Sequence, residues 1–314
     1  MYLTKHTYYD ISNSGGDYMD YYSSIKELLI NNELTKKVKD YSKNRSDLIT
    51  YYEVGKLLSD AGKHYGKNVV KQYASKLVVD VGKKYNERTL RRMRQFYAFC
   101  KKQKWPPAAA KLTISHYDEL MKLKYAGEIN YYIDICQKYN LSRKDLREKI
   151  KTKEYWRLDE DTRNKISKQE KLELVDTVKS PILIRNTASN YNISEKMLQK
   201  LILEDIPHFL SELGDGYCFI KNEYKIKLDS TYNYIDLLLF NIKYNCYVVV
   251  ELKVTELKKE HIGQIEFYMN YIDNNLKTSN HNKTIGILIV KENNQFVIKY
   301  KTNDEIISRE YELI

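Results

Sequence analysis

YIDLLLF, Tyr234 to Phe240, followed after a short gap by YVVVELK, Tyr247 to Lys253, is the stretch whose reading decides the fold. Both segments are rich in β-branched and aromatic residues and read as strands. Asp236 stands where an acid is costly, between Ile235 and Leu237, with Leu238, Leu239 and Phe240 beyond. A buried strand does not carry a carboxylate without a partner or a cation. In the second segment the strand period of two sends Glu251 and Lys253 to one face and Leu252 to the other. If the two strands pair as neighbours, Asp236, Glu251 and Lys253 converge. Two carboxylates and an ammonium suit a hard divalent cation and a water to be activated. An acid and a lysine two apart near a strand end are, taken alone, most often a solvated edge. The acid inside the preceding apolar strand is what shifts the balance.

Flanking segments extend the pattern. Lys258 to Leu276, KKEHIGQIEFYMNYIDNNL, places Ile262, Ile265, Tyr268, Met269 and Ile272 at helical spacing, with Gln264 on the first turns. Upstream, Leu198, Leu201, Ile202, Ile206 and Leu210 make another helical stripe, with Glu204 on a neighbouring face. The expected order from about Ser194 to Tyr300 is helix, three strands, helix, strand.

That order resembles the PD-(D/E)xK, or restriction-endonuclease-like, nuclease core. The resemblance assigns Asp236 to the first acid position, Glu251 to the second and Lys253 to the lysine. It assigns Gln264 to the glutamine of the following helix and Glu204 to the acid of the first helix. Ile235 stands where many of these enzymes have proline. The stretches LGDGYCFIKNEYKI, YNYIDLLLFNIKYNCYVVVELK and HIGQIEFYMNYIDNNLK are similar to the C-terminal domain of YhcG-type nucleases. YYEVGKLLSDAGKHYGKNVVKQYASKL and NERTLRRMRQFY are similar to the N-terminal domain of the same family. The resemblance implies a metal-dependent nuclease acting most readily on DNA. Mg²⁺, with Mn²⁺ as a substitute, would be bound by Asp236, Glu251 and the Leu252 carbonyl.

The chain has 314 residues, with 53 basic and 42 acidic side chains and a formal net charge of +11. That excess favours a polyanionic partner. No run of about 18 apolar residues exists, so no spanning helix is expected. The start, MYLTKHTYYDIS, has no apolar signal core, and Cys100, Cys136, Cys218 and Cys246 are far apart with no metal-ligand spacing. Both point to a cytoplasmic protein without a disulfide framework or zinc site. Tyrosine is abundant, at 30 residues, as are Lys, Asn and Ile. Such joint enrichment can reflect codon bias, so lysine runs are partly background and arginine positions carry more information.

Arginine clusters once, in NERTLRRMRQFYAFC, as Arg88, Arg91, Arg92 and Arg94. Asn86 can cap this helix and Glu87 suits its first turn. Leu90, Met93, Tyr97 and Phe96 supply the apolar stripe, leaving Arg88, Arg91, Arg92 and Gln95 on the other face. The preceding helix ends near Gly82, which gives the layout of a helix-turn-helix. Arg88, Arg91, Arg92, Arg94 and Gln95 are the candidate contacts, to nucleic acid or to a protein partner, or are plain surface. Ser115, beside His116 in LTISHYDEL, reads as a helix cap rather than a nucleophile.

The expected organisation is α+β and multidomain. A flexible lead covers 1–18 and a helical domain, with a possible helix-turn-helix, covers 19–150. A charged linker, which can contain helix, follows over 151–193, and an α/β restriction-endonuclease-like core with a central mixed sheet over 194–314. Three function classes remain open at this level: a nuclease, a DNA- or protein-binding module that no longer cuts, and a subunit of a DNA-processing assembly. A homodimer or a DNA-processing partner is compatible with each.

Overall fold

The computed structural model describes residues 20–37, 43–66, 68–103, 112–187, 193–228, 231–299, 301 and 303–314. The expected flexible lead lies outside these residues. The chain divides into a unit within Met1–Ile129 and Ile133–Leu146 and a second comprising Asn130–Tyr132 and Arg147–Ile314.

Helices α1 (Tyr21–Lys37), α2 (Lys43–Tyr65), α3 (Val69–Asp80), α4 (Glu87–Gln103) and α5 (Ile114–Leu120) belong to the first unit, while α6 (Ala126–Tyr139) and α7 (Arg143–Lys151) run across the division. Helix α4 begins as its sequence dictates: the Asn86 side chain accepts a hydrogen bond from the Thr89 N–H at 3.1 Å. Leu90, Met93, Phe96 and Cys100 recur every three or four residues and are buried. They meet α2 at Gly55, where a Cβ would lie 2.2 Å from the Met93 carbonyl oxygen, so only glycine permits this approach. Helix α5 is capped by Thr113 rather than Ser115, because the His116 side chain folds back to accept from the Thr113 N–H at 3.2 Å.

The second unit is built on a mixed six-stranded sheet among the described residues, in the order β1-β6-β5-β4-β3-β2. Its strands are β1 (Ile182–Ile184), β2 (Tyr217–Leu228), β3 (Thr231–Asn241), β4 (Cys246–Glu256), β5 (Ile285–Glu292) and β6 (Ile306–Leu313). Strands β2, β3 and β4 form an antiparallel meander; β4, β5, β6 and β1 run parallel. Strand alternation divides the apolar side chains between two layers. Leu237, Leu239, Val248 and Val250 pack with Leu198, Leu201 and Ile202 of α10 (Glu195–Glu204). Leu238, Val249, Leu288 and Val290 pack with Ile265, Met269 and Ile272 of α12 (Lys259–Asn275). Each such side chain contributes about 1.5–3 kcal/mol by leaving water. Helix α12 comes close to β5 because residue 286 is glycine; a Cβ there would lie 2.6 Å from the Met269 Sδ.

Three expectations need correction. The stripe from Leu198 to Leu210 is two helices, not one. The chain breaks at Asp205, and Pro207 opens α11 (Ile206–Leu213), where its missing N–H costs nothing. The stretch expected as a charged linker, 151–193, is folded over its described part. It carries a 3₁₀ turn at Glu154–Arg157, α8 (Glu160–Ser167), α9 (Leu174–Thr177) and β1. Its charges are used internally: Arg157 pairs with Glu212 and Arg309 with Asp159. Strands β1 and β6 extend the sheet beyond the expected set, joined in register Ile182 with Tyr311. Helix α13 (Gln295–Lys299) lies between β5 and β6.

Candidate active site

The β3–β4 ladder ends at the Leu237–Val250 pair. The next residues toward the opening are Asp236 and Glu251, and their side chains replace the missing ladder bonds. The Asp236 N–H donates to Glu251 Oε1 at 3.4 Å, and the Leu252 N–H donates to Asp236 Oδ2 at 2.8 Å. On the other side of β3, pairing with β2 joins Asn222 to Leu237 and Tyr224 to Ile235, skipping Glu223 and Asp236. Glu223 has a φ of 46°, a left-handed backbone that breaks the alternation there. Asp236 therefore sits at a local irregularity where β3 parts from β4.

Lys253 follows on β4. Its Nζ lies 3.5 Å from Glu251 Oε2 and 3.7 Å from Glu195 Oε2. Glu195 opens α10, and Gln199, one turn later, donates to the Asp236 carbonyl oxygen at 3.0 Å. On α12, the Gln264 amide donates to the Tyr268 hydroxyl at 3.1 Å. Burial holds that hydroxyl above the ordinary phenol value; the Gln264 hydrogen bond opposes this and the charges of Glu251 and Asp236 add to it.

Asp236, Glu251, Lys253 and the Leu252 backbone are thus brought together, while Gln264 is bonded to Tyr268 on its own helix. Glu204 is not. It lies at the far end of α10, where it accepts from the Thr187 hydroxyl at 3.0 Å. Nine residues at roughly 1.5 Å per residue separate it from Glu195. The acid beside Lys253 is Glu195, and neither it nor Gln199 stands out in the sequence.

Glu251 is 2% exposed. Burial pushes its carboxyl up to about 8, the Asp236 charge adds to this, and Lys253 opposes it. Asp236 is also raised, first by burial; the Leu252 N–H and Lys253 oppose, while Glu195 and Glu223 reinforce. Two carboxylates share a site whose local cation does not neutralise both. Their oxygens and the Leu252 carbonyl suit a hard divalent cation that keeps several waters. Among the described residues no cluster of three or more His, Cys, Asp or Glu side chains is arranged to hold a metal ion, here or elsewhere.

In the first unit, Arg88 and Gln95 are exposed on α4. Arg91 donates through Nε to Glu87 at 2.8 Å. Arg92 grips Asp118 with two nitrogens and lies 5.9 Å from the Tyr51 ring centre. Arg94 turns toward α2, its Nη1 3.9 Å from where a Cβ on Gly62 would sit. Arg94 therefore lies off the face shared by Arg88, Arg91, Arg92 and Gln95. Arg88, Arg91, Arg92 and Gln95 line an open cleft of about 1120 Å³ that Lys122 and Arg143 help to complete. No helix among the described residues is long and apolar enough to cross a membrane. Cys100, Cys136 and Cys246 are buried and Cys218 is exposed.

Comparison with known proteins finds two family matches. The YhcG PDDEXK nuclease domain matches residues 175–313 and the DUF1016 N-terminal domain matches residues 28–157. The putative nuclease YhcG of Escherichia coli (strain K12) is 24% identical over 197 residues, an alignment covering 60% of this chain and 52% of that protein. The chain thus aligns with about half the length of that relative. Among solved structures, a repair endonuclease from Pyrococcus abyssi is 19% identical with a TM-score of 0.27, over 40% of this chain and 49% of that one. A chain of an EndoMS–dsDNA complex is 17% identical with a TM-score of 0.28, over 40% of this chain and 48% of that one.

Proposed function

Since the chain belongs to the YhcG-type PD-(D/E)xK nuclease family, we propose that it hydrolyses phosphodiester bonds in DNA, with Mg²⁺ as its cation and Mn²⁺ as a substitute. The observation that carries this reading is the side-chain clip joining Asp236, Glu251 and Leu252 where β3 and β4 part, with Lys253 beside it. Asp236, Glu251 and the Leu252 carbonyl would hold the cation. A cation there supplies Lewis-acid polarisation of the scissile phosphate and stabilises the charge that develops on it.

The remaining roles belong to the chain itself. The Lys253 ammonium lies between two carboxylates and acts as a donor, orienting the attacking water and the phosphate rather than taking a proton. Glu195 holds Lys253 in place, and Gln199 fixes the Asp236 backbone. The Gln264 amide, kept in orientation by Tyr268, hydrogen-bonds the water or a phosphate oxygen. Arg88, Arg91, Arg92 and Gln95 give the α3–α4 pair a face for DNA in the manner of a helix-turn-helix, with Lys122 and Arg143 adding phosphate contacts.

The test is a cleavage panel on supercoiled, linear, single-stranded and branched DNA with Mg²⁺, Mn²⁺ or EDTA. Cleavage of at least one substrate with a divalent cation is expected, with loss in EDTA and in Asp236→Asn. Cation-dependent binding without any cleavage would instead favour a silent DNA-binding or scaffold subunit, and an Asp236→Asn protein that cuts like the parent would remove Asp236 from the catalytic site.

A further inference from the structure

Strand β3 continues past its last pair with β4, at Leu237, and its outer residues pair with β2 alone. In this arm Lys225 stands opposite Tyr234 and Lys227 opposite Tyr232. Residues opposite one another in an antiparallel ladder share a face. The arm is two-sided. Ile226 and Ile235 on one side are fully buried, whereas Tyr232 and Tyr234 on the other are 50% and 51% exposed. The Lys225 Nζ lies 3.6 Å from the Tyr232 ring centre. Rings and ammonium groups thus alternate across a small exposed platform, and the two rings are two strand positions apart, roughly 7 Å. Two residues beyond Tyr234 on the same strand is Asp236.

The geometry points to the β2–β3 arm as a binding platform for single-stranded DNA, on which Tyr232 and Tyr234 stack unpaired bases and Lys225 and Lys227 hold the phosphates. This rests on the nuclease reading for its purpose, not for its binding. Bases inside a duplex are stacked on each other and offer no face to a protein ring. Exposed tyrosines therefore add affinity only where a strand is unpaired, while the lysines complement its backbone charge. A strand held here runs toward the Asp236 carboxylate. The preferred substrate is then DNA with an unpaired segment, such as a flap, a fork or a single strand, in preference to an intact duplex.

The experiment measures binding of the full chain, in EDTA, to a fluorescent single strand and to a blunt duplex of the same sequence. Tyr232→Ala/Tyr234→Ala should weaken single-strand binding about tenfold or more, as for loss of stacked bases. Duplex affinity should stay within about twofold, and Tyr232→Phe/Tyr234→Phe should bind as the parent does. Lys225→Ala/Lys227→Ala should lower the single-strand salt slope by about 1.4, for two phosphates released. An alanine variant with the parent's melting temperature and unchanged single-strand affinity, or with equal losses for both DNAs, overturns the proposal. If that variant melts early, the lysine variant decides, and an unchanged salt slope overturns it. Cleavage by Asp236→Asn, run in parallel, separates the two readings. A parent that never cuts, paired with a tyrosine-dependent loss of binding, removes the nuclease reading alone. Loss of cleavage in Asp236→Asn, paired with tyrosine-independent binding, removes the platform alone.

Discussion

Two groups of buried carboxylates in the second unit end on opposite sides of the usual carboxylate value. Glu212 and Glu154 are 4% and 5% exposed, and Glu251 is 2% exposed. Burial pushes up on all three, yet Glu212 and Glu154 end below the usual carboxylate value while Glu251 ends at about 8. The difference is in the neighbours. Glu212 has the Arg157 guanidinium, with Nη2 at 3.1 Å, and the Leu183 N–H at 3.0 Å. Glu154 has Lys149 at 2.7 Å and the Tyr131 hydroxyl at 2.8 Å, and Lys179 lies 4.0 Å and 3.9 Å from Glu154 and Glu212. At the other group Glu251, beside Asp236, has the Lys253 ammonium at 3.5 Å, and a third acid, Glu195, shares that ammonium at 3.7 Å. The first group is closed electrically. The second carries unbalanced negative charge that a cation can use.

The largest expected effect falls on the closed group. Arg157→Ala leaves Glu212 buried without its guanidinium and should cost about 3–5 kcal/mol of stability, measured by urea unfolding. At the open group, removing a charge should spare stability and remove chemistry. Lys253→Ala should lower cleavage about 10²-fold or more with little change in DNA affinity. Asp236→Asn should lose cleavage too, but excess Mn²⁺ should restore part of it, since raising the ion concentration opposes a weaker site. The same rescue should fail for Lys253→Ala. Equal rescue of both would put Lys253 in the cation site rather than beside it.

The two groups should also respond oppositely to pH. A carboxylate lowered in the folded state stabilises above its unfolded value and loses this as pH falls through the folded one. Glu212 and Glu154 therefore weaken the fold in acid. Glu251 is raised, so its contribution is present below the unfolded value, 4.5, and is lost as pH rises toward about 8. Melting curves of the metal-free protein should fall over that range in the parent and stay flatter in Glu251→Gln. Parallel curves would remove Glu251 as the origin. The smallest effect is expected on α4. Arg88→Ala should reduce the salt slope of duplex binding by about 0.9, for one phosphate. Arg91→Ala should do less, because Glu87 already engages it, and unchanged slopes in both would favour a protein partner for this face.

Much of the open group was legible because its strands are buried on both faces, where an acid stands out against Ile, Leu and Val. The second helix was legible from its spacing, and Gly286 explains how close it comes. The closed group was not legible. Its charges are scattered: Lys149 lies on α7, Glu154 and Arg157 in the 3₁₀ turn, Lys179 before β1 and Glu212 on α11, and those within 151–193 read as linker until their partners are known. Strand β1 is only three residues long, and β6, IISREYEL, alternates polar groups like a surface segment. The choice between Glu195 and Glu204 depends on which end of α10 faces β4, and helical period cannot give that. Gln199 acts on a backbone carbonyl, a contact without a sequence pattern. Tyr232 and Tyr234 are masked by the abundance of tyrosine.

The account turns on Asp236 and Glu251 being unbalanced because they serve a cation. Isothermal titration of Mg²⁺ or Mn²⁺ into the metal-free protein near neutral pH, repeated in buffers of different ionisation heat, tests this directly. Burial raises both carboxyls, Glu251 to about 8, so the pair must give up a proton to bind a cation. The predicted result is saturable binding that releases about one proton, with both binding and release lost in Glu251→Gln. Binding of equal strength in that variant, or binding by the parent without proton release, would contradict the account.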